Sequence, residues 1–271
     1  KGVNILLKAC AKSKIQVLSM ANNHIRDDST QSFINYITTN RNIETFDLSG
    51  NYLTKSFISG ISYHLKSSSI VSLNLNNNPL KSEGIASLGH ALNGECNMKY
   101  LSVVNCQIEV KGFVEFCDLI SGNTSLVSLH LGHNSLLDEG AIRLSHVIKR
   151  HPSFKEIDLE MCEITQEGGK LLFAAFAQSQ TIRRINIKNN LIHDGIVIQK
   201  CLNENPRIFY INTDYNTIEY KMSMEIQRLA SENIKRWRSE QKNRVKDEVV
   251  KLAGVNEDLA DARQSIIEER E

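Results

Sequence analysis

An excess of one charge is the first thing this chain lacks. Its 271 residues hold 32 Lys and Arg against 31 Asp and Glu, a formal net charge of +1. That balance argues against a nucleic-acid binder, which usually shows a strongly basic face. No apolar run approaches the ~20 residues a membrane span needs, and no signal-peptide pattern opens the chain, so a soluble, cytoplasmic protein without a membrane partner is expected. Six cysteines occur without a Cys-x-x-Cys pair, which favours reduced thiols over disulfides or zinc. Nucleophile-elbow, zinc-protease and dinucleotide patterns are absent, and Gly168-Gly169-Lys170 lacks the earlier glycine of a phosphate loop. No catalysis, cofactor or small-molecule substrate is therefore expected. Proline is missing after Pro206, and Trp237 is the one tryptophan.

What is there is repetition. An apolar frame whose best copy is Leu126-x-x-Leu129-x-Leu131-x-x-Asn134-x-Leu136 restarts at Ile15, Ile43, Ile70, Met98, Leu126, Phe154, Ile182 and Ile208. Spacing that steady marks a repeat array. Alternation such as Phe46, Asp47, Leu48, Ser49 suits a short strand with one buried face. After each strand stands Asn23, Asn51, Asn78, Cys106, Asn134, Cys162, Asn190 or Asn216. An inward amide offers donors and an acceptor to stranded turn backbone and a thiol a weak donor, so a buried ladder is expected at these eight places. The second half of each unit is helical: Leu88 and Leu92, Phe116 and Ile120, Leu144 and Ile148, Leu172 and Phe176, Ile198 and Leu202 recur at helical spacing. Ser82-Glu83-Gly84 and Asp138-Glu139-Gly140 read as N-caps before an acidic first turn, with Thr165-x-Glu167 and Asp194-Gly195 as looser versions.

The frame resembles the ribonuclease-inhibitor-like class of leucine-rich repeats over roughly residues 1 to 218. That resemblance implies an α/β fold: a right-handed solenoid or horseshoe with parallel strands on the concave face, helices on the convex face and a C-terminal helical extension. Residues 1–14 read as the helical half of an earlier repeat, with upstream repeats expected; 15–218 as eight repeats; 219–232 as a capping helix; 233–271 as a charged helical or coiled-coil extension. Proteins with such arrays include ribonuclease inhibitors, activators of the small GTPase Ran, innate-immune sensors, actin regulators and ciliary scaffolds. The pairing of array and helical arm resembles cytoskeletal scaffolds, so a non-catalytic subunit of a ciliary, axonemal or other cytoskeletal assembly, binding several proteins, is the expectation. A Ran-type activator is the alternative, with Arg26 the nearest arginine and the usual acidic tract missing; a ribonuclease inhibitor is a further one, opposed by the neutral charge balance.

Binding in such arrays uses the outward residues of the concave strands. Tyr100, His130 and Tyr210 are candidates there. The sixth repeat gathers Glu156, Asp158 and Glu160, and the seventh places Arg183, Arg184 and Lys188 beside them. Such stripes steer a partner or neutralise each other across neighbouring strands. The acidic trio lacks the further ligand a metal needs, and Asn123-Thr124-Ser125 is a lone glycosylation triplet. In the tail, Met222, Ile226 and Leu229 share a helical face that covers the last repeat. A basic stretch with Arg236, Trp237 and Arg238 follows, in which Trp237 either anchors a partner or packs back on the array. Val245, Val249, Leu252, Leu259 and Ile266 give a coiled-coil spacing weakened at Gly254, where a bend is expected.

Overall fold

Eight three-residue strands carry the array: β1 Val17–Ser19, β2 Thr45–Asp47, β3 Ser72–Asn74, β4 Tyr100–Ser102, β5 Ser128–His130, β6 Glu156–Asp158, β7 Arg184–Asn186 and β8 Tyr210–Asn212. They form one parallel sheet in chain order. The computed structural model describes the backbone of residues 2–268 and the side chains of residues 2–248. Helices alternate with the strands: α1 Gly2–Cys10, α2 Thr30–Thr39, α3 Lys55–Lys66, α4 Lys81–Leu92, α5 Val110–Leu119, α6 Leu137–Arg150, α7 Gln166–Gln178, α8 Ile196–Glu204 and α9 Tyr220–Glu268. Register pairs equivalent frame residues, so Phe46, Leu73, Leu101, Leu129, Ile157, Ile185 and Ile211 face one buried spine. Each such side chain contributes about 1.5–3 kcal/mol by leaving water. Strands stack ~4.8 Å apart while helices need 8–10 Å, which bends the stack into an arc with the sheet inside.

The frame asparagines form the expected ladder. Asn134 Nδ2 donates to Val103 O of the preceding coil at 2.9 Å and to Leu131 O of its own at 2.7 Å. Its Oδ1 accepts the Cys106 and Ile108 N–H groups, both at 3.0 Å. Asn51 and Asn190 repeat both halves of this pattern. The ladder is buried from Asn51 to Asn190 and emerges at both ends, where Asn23 is exposed and Asn216 half-buried. A rung needs a coil on each side to be covered.

Cysteine rungs have a consequence for the helices before them. Cys106 Sγ donates to Leu75 O at 3.2 Å but brings no carbonyl to accept the turn N–H groups of the coil before it. In that coil Leu80 N–H turns onto Asn78 O, Lys81 takes a left-handed φ of 59°, and α4 begins at once. Leu136 N–H on Asn134 O and Leu137 at 56° repeat this before Cys162. The N-caps expected at Ser82 and Asp138 are therefore overturned: both lie inside helices that start at Lys81 and Leu137. Asp138 instead accepts the Thr165 N–H at 2.8 Å and hydroxyl at 2.5 Å from the next coil. Thr165 caps α7 as expected, accepting the Glu167 N–H at 3.3 Å.

A second polar ladder runs where helices turn back toward the sheet. Asn40, Asn123, His151, Ser179, Asn205 and Asn233 are all buried there. Asn123 Nδ2 donates to Leu92 O at 2.7 Å, and its Oδ1 accepts the Ser125 and Leu126 N–H groups at 3.0 and 2.9 Å. The apparent glycosylation triplet is thus an inward structural amide. Asn233 of α9 closes this ladder, donating to Leu202 O at 3.2 Å and Ile208 O at 2.9 Å.

Helix α9 joins the cap and the extension in one element. Ile226, Leu229 and Ala230 are buried, Met222 half-buried, and packing continues through Asn233 to Trp237, past residue 232. The backbone is helical through Gly254. Val245 is exposed, and the side chains of Val249, Leu252, Leu259 and Ile266 lie outside the described residues.

Candidate protein-binding surface

The pleat turns the first and third residues of each strand outward, and parallel register lines them into rows across the concave face. In coils five to eight these rows are tied into one chain of charge, and the residues just after the strands into a second. Along the first, Glu156 Oε1 lies 3.6 Å from His130 Nε2 and its Oε2 3.7 Å from Arg184 Nε. The Arg184 guanidinium stands over the Tyr210 ring, 4.5 Å from its centroid, a cation–π contact. Along the second, Glu160 Oε1 accepts from Lys188 Nζ at 2.7 Å, with His133 Nε2 4.0 Å away, while Oε2 accepts from Asn186 Nδ2 at 3.2 Å. Lys188 Nζ in turn lies 5.5 Å from the Tyr215 ring centroid. The Lys188 bond holds the Glu160 carboxyl below its usual range, and the same bond raises Lys188. Between the chains, burial pushes Asp158 up although its Oδ1 accepts the Glu160 N–H at 3.0 Å.

The structure therefore brings His130, Glu156, Arg184 and Tyr210 together, and Glu160 with Lys188. Acid and base neutralise each other here, and pairs this exposed are worth ~0–1 kcal/mol each. Their use is to fix side chains in place. Tyr100 stands apart, exposed between Ser72 and Ser128. Trp237 packs on Phe209 with ring centroids 5.1 Å apart and keeps 37% of its surface exposed. Arg236 and Arg238 are exposed on the same helix. Arg26 lies in the first coil, 5.4 Å over the Tyr52 ring. Among the described residues no His, Cys, Asp and Glu group could hold a metal, and no helix is long and apolar enough to cross a membrane.

Sequence reading missed a column of backbone. The residue before each frame Asn or Cys has a left-handed φ in every coil: Asn22, Gly50, Asn77, Asn105, His133, Met161, Asn189 and Tyr215. Asn and Gly tolerate that region and other residues resist it. The exceptions, His133, Met161 and Tyr215, all fall in the charged half, and Met161 and Tyr215 are 47% and 77% exposed. The signal was present as Asn or Gly at every other copy of that place.

Comparisons with known proteins agree with the geometry. Models described as Leucine Rich repeat match residues 66–89, 122–145 and 150–173, and one described as Leucine Rich Repeat matches 42–64. The chain is 27% identical over 182 residues to NACHT, LRR and PYD domains-containing protein 14 of Mus musculus, covering 66% of this chain and 18% of that protein. It is 30% identical over 134 residues to NACHT, LRR and PYD domains-containing protein 13 of Homo sapiens, covering 49% and 13% respectively. The chain thus spans less than a quarter of the length of these relatives. Among solved structures, Leiomodin-1 Actin-Binding Site 2 superposes with a TM-score of 0.52 at 19% identity, over 61% of this chain and 96% of that one. At that identity the likeness concerns fold.

Proposed function

We propose that this chain, an array of leucine-rich repeats, is a non-catalytic module that binds other proteins through the concave face of coils five to eight and through α9. The observation that carries this reading is the ordered network from His130 to Tyr215, in which rigid aromatic and guanidinium groups stand exposed on a fixed sheet. Such groups dominate protein interfaces because they lose little freedom on binding.

The finer reading is a subunit of a cytoskeletal assembly, in a cilium or axoneme or elsewhere in the cytoplasm. It is supported by α9 alone: beyond Trp237 the helix continues to Glu268, about 45 Å at 1.5 Å per residue. An arm of that length joins a recognition surface to a second component.

Proximity labelling in cells with the intact chain, a Glu156→Lys/Glu160→Lys variant and a chain cut after Gln241 tests both parts. Partners lost with the charge reversal support the concave face, and partners lost with the cut support the arm. An unchanged partner set in both would defeat the reading. Stimulation of GTP turnover by Ran would replace it with the activator alternative.

A further inference from the structure

We propose that the cleft where α9 crosses the start of coils seven and eight binds an acidic segment of a partner protein, its carboxylate or phosphate oxygens held by Arg183, Arg207, Arg236 and Arg244. This rests on the protein-binding reading and names a site and ligand chemistry for it. The four arginines line an opening of about 300 Å³ together with Trp237. Two come from the array and two from the helix, so the fold assembles the site from segments far apart in sequence. None of the four forms an ion pair among the described residues. That contrasts with the concave face, where Glu156 and Glu160 already have cationic neighbours.

Arg183 is the most constrained of the group. It is half-buried, one N–H is used on Ile182 O at 3.0 Å, and burial with the nearby Arg207 charge lowers its pKa. Four guanidinium groups and a single carboxylate, that of Glu240, line the opening, and an arriving anion relieves the repulsion left among the arginines through forked, charge-assisted bonds. Exposed Lys99 and Lys155 hold the same frame place as Arg183 in coils four and six, with Val127 between them, and add positive charge on the approach to the cleft. An extended chain carrying several acids fits that layout. A nucleic acid fits it poorly, because one tryptophan offers a single stacking platform.

Because Trp237 is the chain's one tryptophan, its emission reports the cleft directly. The full chain is titrated with a decapeptide of alternating Gly and Glu, the same peptide with phosphoserine for Glu, and a Gln version. We expect saturable emission changes with an acidic peptide and none with the Gln peptide. The tighter of the two acidic peptides identifies carboxylate or phosphate as the source. Arg183→Gln/Arg236→Gln should weaken binding about tenfold or more, whereas Arg41→Gln, exposed just before coil two and outside the cleft, should leave it unchanged. An unshifted melting midpoint shows that the double variant folds; Arg244→Gln, beyond the packed stretch, gives the same test if it does not. Absence of saturation, an equal loss from Arg41→Gln, or tighter binding of a single-stranded oligonucleotide would overturn the proposal. Peptides that fail to bind while Glu156→Lys/Glu160→Lys still loses partners defeat the cleft and leave the broader reading standing.

Discussion

Coils one to four and coils five to eight share a backbone and differ in surface. Both halves have the same register and the same rungs. On the concave face, the first half shows Val17, Thr45, Ser72, Ser19 and Asp47, and the second His130, Glu156, Arg184, Lys188 and Tyr210. In a solenoid each coil is stabilised by its neighbours through the spine, so outward residues are free to vary. The difference teaches that framework and recognition are separable here.

The largest effect should ignore the difference. Asn51→Ala in the first half and Asn134→Ala in the second each orphan two backbone N–H groups, the partly exposed Asn23 and buried Ile25 ones in the first case and the buried Cys106 and Ile108 ones in the second, and the carbonyls the amide served. Each should cost about 4 kcal/mol, read by chemical denaturation. Unequal losses would tie stability to the surface and break the separation. On the convex side, Gly112→Ala would place a methyl 2.4 Å from the Ser82 Cα and carbonyl oxygen, where α5 meets α4. We expect a loss of about 3 kcal/mol from that backbone clash. Gly168→Ala in the second half meets the Asp138 carboxylate at 2.5 Å and the Asp138 Cα at 3.0 Å, and should cost less because its backbone contact is longer than the 2.4 Å one at Gly112.

Most of the framework was legible in the sequence because each coil repeats it: eight strands, the helix pairs and the first ladder follow from spacing alone. The second ladder carried a weaker signal, an Asn three residues before Ile43, Leu126 and Ile208, diluted by Ser179 and His151. The early starts of α4 and α6 were not legible, since they follow from a thiol one coil further on that cannot accept what an amide accepts. Of the candidate site, Glu156, Glu160, Arg184 and Lys188 were found as stripes, but their pairing with His130 and Tyr210 needed the register. Arg183 and Arg207 meet Arg236 and Arg244 only through the path of α9, which no periodicity states.

His151 sharpens the comparison through pH. It holds in the second half the place that Asn40 holds in the first. It stacks on Phe154 at 3.7 Å, its Nε2 has no partner, and burial pushes its pKa down from 6.5 to about 4. Between those values the unfolded state binds the extra proton, so stability is complete above about pH 6.5 and declines as pH falls toward 4. We expect a loss of about 3 kcal/mol across that window. His151→Asn, which supplies a neutral amide to the ladder, should flatten this slope. An unchanged slope would place the acid sensitivity elsewhere.

The smallest effect distinguishes framework from recognition most directly, because the two should move in opposite directions. Met161 holds a left-handed φ of 52° at a place where Asn22, Asn77, Asn105 and Asn189 serve other coils. Met161→Asn should therefore stabilise the chain by about 1 kcal/mol, seen as a higher unfolding midpoint. The native methionine accepts this cost next to His133 of the preceding coil while leaving 47% of its surface in solvent, an arrangement that adds nothing to the spine. If the exposed thioether is kept for a partner, the more stable variant should bind the partners of the charged half less well. Asn22→Met, the reverse exchange in the first half, should destabilise by a similar amount and leave binding untouched. A Met161→Asn chain that gains stability and keeps every partner would return that residue to the framework and confine recognition to the rows between His130 and Tyr210.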